Sequence, residues 1–172
     1  MNFESELISG VLIKRYKRFF VDIKIKNKIV TAHCPNTGSM MGLLAKGNKV
    51  WCTRTDNLKR KLKYTLQIIE VKGSKVGINT HLTNKIFFEA LSGKKILNIT
   101  NTDTIKREKK FNDKTRFDFF IDGKKNGCFI EVKNVTLSRK KNVAEFPDAI
   151  TDRGLKHIKE LIAAKKRGFE IY

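Results

Sequence analysis

The chain has 172 residues, which allows one domain of ordinary size or two small ones. At 40% hydrophobic and 31% charged it has enough apolar material for a packed core, which excludes a disordered chain. Its 37 Lys and Arg against 17 Asp and Glu give a formal charge of +20, an excess best explained by a polyanionic partner. Up to Asn84 there are 16 basic and 5 acidic residues, and from Lys85 onward 21 and 12, so a basic tail on a neutral domain is also excluded. The bland alternative is a solvated lysine-rich surface. Compositional drift toward lysine alone should have raised glutamate with it, and it has not.

The first half reads as short β-strands. Val11–Arg15, Phe19–Ile25 and Ile29–His33 are β-rich runs, separated by Tyr16–Arg18 and an Asn27-Lys28 turn. Lys49–Thr53 and the alternating Tyr64–Val71 follow, and Lys72–Lys75 turns into Val76–Asn79. Five or so short strands without a long helix suggest a small closed β-barrel, of OB or SH3-like type. Near residues 80–85 the period changes. Lys85–Leu91 reads as a helix with Asn84 as N-cap and Gly93 just past its end. Strands Arg116–Ile121 and Cys128–Lys133 are joined by the turn-rich Asp122–Gly127. Arg153–Arg167 is an amphipathic helix with Leu155, Ile158, Leu161 and Ile162 on one stripe, stopped by Gly168, and Phe169–Tyr172 begins another strand. The expected architecture is β-rich α/β, with a barrel over residues 1–82 and an α/β domain over 83–172.

The cysteines, Cys34, Cys52 and Cys128, are scattered and odd in number, which fits reduced thiols rather than a disulfide framework or a zinc site. The N-terminal run lacks a basic n-region and an apolar h-region, and no stretch is apolar for long enough to span a bilayer. A soluble, cytoplasmic protein with no membrane partner is expected.

The most specific chemistry lies in the second strand pair. Glu131 and Lys133 share one strand face. If the Asp122–Gly127 loop closes symmetrically, Ile121 pairs with Cys128 and Asp118 falls opposite Glu131 on that face. Facing carboxylates repel, an arrangement strands avoid unless a cation lies between them. Asp118 and Glu131 are therefore candidate ligands for Mg²⁺, with waters and a phosphate oxygen filling its octahedron. Lys133, one strand step on, is placed to orient water or stabilise charge on the phosphate. The pattern of Asp, then Glu-x-Lys about a dozen residues later, is similar to the metal site of the PD-(D/E)xK nuclease superfamily. Glu89, on the first predicted helix, and Glu108 are candidates for a further acid. The bland reading of Glu131 and Lys133 is a solvent-facing ion pair.

Arg15, Lys17 and Arg18 interleave with Tyr16 and Phe19, as on single-strand binding surfaces. Arg60 and Lys61 belong to a second basic cluster, and Arg153, Lys156 and His157 lie near the start of the last helix, where phosphate contact is favoured. For these last three a solvated helix face is an equal alternative. His33-Cys34-Pro35-Asn36-Thr37-Gly38-Ser39-Met40 is a tight turn with two hydroxyls, either structural or phosphate-binding. Adjacent strand residues face opposite sides, so joint metal ligation by His33 and Cys34 is not expected.

Seven segments resemble the sugar fermentation stimulation protein A family in order: Arg15–Phe19, His33–Met40, Gly77–Thr80, Arg116–Phe119, Glu131–Leu137, Phe146–Ala149 and Thr151–His157. The resemblance implies an N-terminal OB-like domain and a C-terminal nuclease-like domain, with Asp118, Glu131 and Lys133 at the nuclease-like positions and Glu108 matching a family acid. It also implies DNA binding, single- or double-stranded, without marked sequence preference, and a role in regulating sugar (maltose) metabolism. Family members continue several tens of residues past Tyr172, so this chain is expected to be a shortened form.

Overall fold

The computed structural model describes every residue except 1, 4, 97, 98, 100–103, 124, 125 and 147–149. Part of the expected Asp122–Gly127 turn and most of the Phe146–Ala149 motif thus lie outside the described residues. The chain forms two compact units, residues 1–82 with 134–149 and residues 83–133 with 150–172. The return of 134–149 to the first unit has no signal in the sequence.

The first unit contains β1 (Ile8–Tyr16), β2 (Phe20–Ile25), β3 (Lys28–His33), β4 (Lys49–Arg54), β5 (Tyr64–Val71) and β6 (Ser74–Gly77). They form a sheet in the order β3-β2-β1-β4-β5-β6. A short parallel pairing of β3 with β5, Ala32 to Tyr64 and His33 to Thr65, closes the first five into a barrel. That ring order, 1-2-3-5-4 and back to 1, is OB-like and removes the SH3-like alternative. β1 serves two neighbours, β4 through Ile8–Val11 and β2 through Val11–Tyr16, and a bulge between Leu12 and Lys14 bends it from one to the other. Gly10 lies at this crossing because a Cβ there would meet Ile23 Cγ2 at 2.6 Å and the Lys24 carbonyl at 2.8 Å. Inward residues Leu12, Val21, Ile23, Ala32, Val50, Cys52, Leu66 and Ile69 form the barrel core.

Two turns differ from expectation. The β2–β3 turn is Lys26-Asn27, with Lys26 in the left-handed region (φ 52°) and Lys28 already paired to Ile25. β6 starts at Ser74, earlier than the expected Val76, because the two-residue Lys72-Gly73 turn lets Ser74 pair at once with Val71.

The second unit has α1 (Thr83–Ser92), β7 (Ile105–Asn112), β8 (Thr115–Ile121), β9 (Cys128–Ile130), α2 (Asp152–Lys166) and β10 (Glu170–Ile171). The sheet order is β10-β9-β8-β7, with β10 parallel to β9 and the other pairs antiparallel. Successive residues of β8 and β9 serve opposite faces. Phe119, Ile121, Cys128 and Ile130 pack with Phe87, Phe88 and Leu91 of α1. Phe120 and Phe129 pack with Leu161 and Ala164 of α2 and with Phe169.

Several details correct the sequence reading. α1 begins at Thr83, so Asn84 lies inside its first turn and does not cap it. Gly93 directly follows its end at Ser92, as expected, and the left-handed residue is the next one, Lys94 (φ 54°); Lys94 N–H donates to the Leu91 carbonyl and Lys95 N–H to the Ala90 carbonyl, a Schellman ending. β9 stops at Ile130, short of Lys133. On α2 the expected buried stripe faces out: Leu155, Ile158 and Ile162 are 52%, 49% and 49% exposed, while Gly154 and Ala164 are buried and His157, Glu160 and Leu161 partly so. No helix among the described residues is long and apolar enough to cross a membrane.

Candidate functional site

The β8–β9 ladder pairs Ile121 with Cys128, Phe120 with Phe129 and Phe119 with Ile130. Continuing that register by one step sets Asp118 opposite Glu131, as the symmetric loop requires. The ladder itself has ended there, and side chains take over. Asp118 Oδ2 accepts the Val132 N–H at 2.8 Å, and Oδ1 accepts from Asn84 Nδ2 of α1, also at 2.8 Å. The alternation of β8 breaks at this residue, since Phe117 packs with Phe129 and Phe111 on one face and Phe119 with Phe87 and Phe88 on the other.

Glu131 is fixed by its neighbours. Its N–H donates to the Tyr172 carbonyl beyond β10 at 3.0 Å. Its carboxylate is only 5% exposed, and one oxygen, Oε1, accepts from both Lys133 Nζ and Nδ1 of His157 on α2. Lys133 Nζ lies 3.1 Å from His157 Nδ1. His157 is expected among phosphate contacts on a helix surface, whereas its ring is largely buried beside Glu131. The signal that could have found it is the spacing of Gly154, His157, Leu161 and Ala164, at helical intervals of three and four.

The other candidate acids are placed differently. Glu108 sits across from Asp118 in the β7–β8 register, but the ladder steps from Arg107–Phe119 to Lys109–Phe117 and skips that pair. Its backbone is left-handed (φ 51°) and its side chain exposed, a strained conformation of the kind found at functional positions. Glu89 is exposed on α1, about 140° around the helix from Asn84. Asn84, expected as a helix cap, instead reaches Asp118 from α1.

Among the described residues no three His, Cys, Asp or Glu side chains converge well enough to hold a metal ion by themselves. Continuation of the β8–β9 register sets Asp118 and Glu131 opposite each other, and Mg²⁺ is commonly held by one or two carboxylates with water and phosphate oxygens completing the shell. The hard-oxygen donors Asp118 and Glu131 fit such an ion.

The basic candidates divide into engaged and exposed groups. Arg15 donates from Nε to the Arg18 carbonyl at 3.0 Å, from Nη1 to that of Gly38 at 3.0 Å and from Nη2 to that of Asn36 at 2.8 Å. It locks the His33–Met40 loop, whose Asn36 side chain accepts the Gly38 N–H and whose Cys34 and Met40 are buried. Lys156 Nζ reaches the Lys114 carbonyl at 2.6 Å, and Arg60 Nη2 the Thr65 hydroxyl at 2.9 Å. Lys17 and Arg18, at the left-handed tip of the β1–β2 hairpin, are exposed, as are Lys61 and Arg153. Burial pushes the Cys52 thiol up to about 12, and Cys128 likewise to about 12 with help from the Glu170 charge. Neither is a nucleophile near neutral pH.

Comparison with known proteins places these features. Residues 13–78 match the family model described as the SfsA N-terminal OB domain, and residues 81–172 that of the sugar fermentation stimulation protein RE domain. The sugar fermentation stimulation protein homolog of Pelagibacter ubique is 56% identical over 172 residues, covering all of this chain and 74% of the relative. The homolog from Synechocystis sp. is 47% identical over 161 residues, covering 91% of this chain and 68% of its own. Among solved structures, SfsA of Pyrococcus furiosus in complex with Ca²⁺ is similar with a TM-score of 0.84 and 29% identity, over 99% of this chain and 72% of that one.

Proposed function

We propose, for a chain that belongs to the sugar fermentation stimulation protein family, that it binds DNA through the phosphate backbone, without marked sequence preference, and acts in the regulation of sugar (maltose) metabolism. The observation that carries the binding is the charge of +20 spread over both halves of the chain. Exposed Lys17, Arg18, Lys61 and Arg153 are the side chains best placed for phosphate contact. Titrating labelled duplex and single-stranded DNA at several salt concentrations tests it. With about six phosphates neutralised, log affinity falls against log salt with a slope near −5. A slope near zero removes the basic surface from the binding.

The cluster of Glu131, Lys133 and His157, with Asp118 tied to the neighbouring Val132 N–H, favours a second reading, a Mg²⁺-dependent DNA nuclease. The Pyrococcus furiosus relative is described in complex with Ca²⁺, a divalent ion that takes the same hard oxygen ligands. Mg²⁺ held by Asp118 and Glu131 would polarise a phosphoryl oxygen and lower the pKa of a bound water. Asn84 and the Val132 N–H orient Asp118, while Lys133 supplies positive charge where the phosphate gains negative charge. His157 donates from Nδ1 to Glu131 and so holds that acid in place. Incubating the protein with DNA, with and without Mg²⁺ or Mn²⁺, decides the matter. Binding without metal-dependent cleavage sinks the nuclease and leaves the binding protein.

A further inference from the structure

We propose that the barrel carries a phosphate-binding site formed by Arg60, His33 and His81, which takes one phosphate group of a nucleic-acid strand. The proposal rests on the DNA-binding reading and gives it a place in the first unit.

Three separated segments are fastened to bring these residues to one end of the barrel. His33 ends β3 and pairs with Thr65 in the short parallel seam that closes the ring. The Thr65 hydroxyl, on a buried residue, accepts from Arg60 Nη2 at 2.9 Å, so the guanidinium is anchored beside the cross-strand partner of His33. The loop that presents Arg60 is built rather than slack. Thr55 N–H donates to the Lys63 carbonyl at 2.9 Å, Lys59 N–H to Asn57 Oδ1 at 3.0 Å and Arg60 N–H to the Asn57 carbonyl at 3.1 Å.

His81 returns to the same end through a polar chain that starts in the barrel wall. Buried Gln67 donates to Thr53 Oγ1 at 2.8 Å and accepts from Asn79 Nδ2 at 2.8 Å, and Asn79 Oδ1 accepts the His81 N–H at 3.1 Å. Between them the Thr80 hydroxyl donates to the Pro35 carbonyl at 2.7 Å, two residues beyond His33. The Gly77–Thr80 and His33–Met40 motifs are in this way parts of one construction.

The three groups sense one another. His33 titrates below its ordinary value, chiefly from burial and then from the charges of Arg60 and His81. Among the described residues no carboxylate pairs with any of the three. Arg60 carries a fixed charge, and an anion beside it would also offset the field that disfavours the protonated form of His33. Arg60 has one N–H committed to Thr65, and its other donors have no protein acceptor among the described residues. A forked donor at the barrel end that also carries His33 and His81 offers N–H groups suited to the tetrahedral oxygens of a phosphate.

The test uses the full chain, its variants Arg60→Gln, His81→Asn and the double variant His33→Asn/His81→Asn, and single-stranded oligonucleotides carrying a 5′-phosphate or a 5′-hydroxyl. His81 is exposed, so its substitution leaves the barrel intact even if Arg60→Gln weakens the Thr65 anchor. The expected result is about a tenfold loss of affinity for Arg60→Gln, with the salt slope reduced by about one, and a smaller loss for the histidine variants. Equal losses on both oligonucleotides assign an internal phosphodiester, and loss confined to the phosphorylated one assigns a terminal phosphate. Wild-type affinity and slope in all three variants overturn the site while DNA binding stands. If the wild type binds no DNA, that reading falls, and NMR of the His33 and His81 ring resonances under inorganic phosphate then decides the site. Shifts sustain it, and unmoved resonances overturn it.

Discussion

Asp118 accepts the backbone N–H of Val132 at 2.8 Å, which ties the acid of β8 to the segment that carries Glu131 and Lys133. Val132 lies two residues past the end of β9, beyond the last β8–β9 pair among the described residues. The carboxylate does what a ladder carbonyl would do, and the second oxygen is held by Asn84. An acid secured in this way keeps its position whether or not a cation is present, which is the preorganisation a metal site needs.

Asp118→Ala removes two acceptors at once. The expected cost is about 1–3 kcal/mol of stability, because the Val132 N–H and Asn84 amide lose their partner. Urea unfolding measures it. Asp118→Asn keeps one acceptor oxygen and most of the stability, yet removes the negative charge that attracts a divalent ion. Calorimetric titration with Mn²⁺ should therefore separate the two variants from wild type equally, while unfolding separates them from each other.

Arg15 is expected to behave as a structural residue. Its three donors go to the carbonyls of Arg18, Asn36 and Gly38, and bonds from a charged donor contribute about 1.5–3 kcal/mol each when lost. Arg15→Ala should lower the unfolding midpoint clearly, with the salt slope of DNA binding unchanged. A slope that drops by about one instead would return Arg15 to the phosphate contacts.

The legible parts of the fold were those with local signatures. Tyr64–Val71 alternates and forms β5 with the expected bounds. Ring closure was not legible, because the β3–β5 seam joins residues some thirty positions apart through two backbone pairs that leave no pattern. β7 went unseen because Lys106-Arg107-Glu108-Lys109-Lys110 reads as a solvated charge run. In the structure it is the edge strand, where lysines discourage pairing with other chains. Its cationic side chains lie over rings of the sheet and α1, with Arg107 5.1 Å from the Phe88 centroid and Lys109 5.8 Å from that of Phe120. In the candidate site, the Asp118–Glu131 register followed from loop symmetry. Asn84 and His157 did not, since their roles depend on how α1 and α2 lie against the sheet.

The pH response of His33 has a definite sign. Its folded-state value lies below the ordinary 6.5, so the folded protein resists protonating it relative to the unfolded chain. Its contribution to stability is complete above about pH 6.5 and is lost as pH falls through the folded value. His33→Asn should flatten this part of the stability curve between neutral and mildly acidic pH. Denaturation at closely spaced pH values shows it.

The exposed aliphatics of α2 give a test of which face is buried. Ile158→Lys and Ile162→Glu replace half-exposed side chains and should shift stability by no more than about 0.5 kcal/mol. Ala164→Leu forces new atoms into the packing around Phe117, Phe120 and Phe129 and should cost about 1–3 kcal/mol. The amphipathic pattern alone predicts the reverse order, so one set of unfolding curves discriminates.

His157 joins α2 to the segment that follows β9, since its Nδ1 lies against Glu131, with Lys133 Nζ 3.1 Å away. Removing it as His157→Ala frees Glu131 on one side and leaves Lys133 without its 3.1 Å neighbour. If DNA is cleaved, the expected loss is about 10²–10³-fold in kcat, the range for a misplaced catalytic group, with KM for DNA little changed. His157→Asn sets an amide nitrogen or oxygen near the position of Nδ1 and should restore part of the rate. The alternative role, a phosphate contact on the helix surface, predicts the opposite split, with affinity and salt slope lowered and kcat preserved. Measuring kcat and KM for both variants at two salt concentrations distinguishes a residue that orients the acid from one that only grips the DNA.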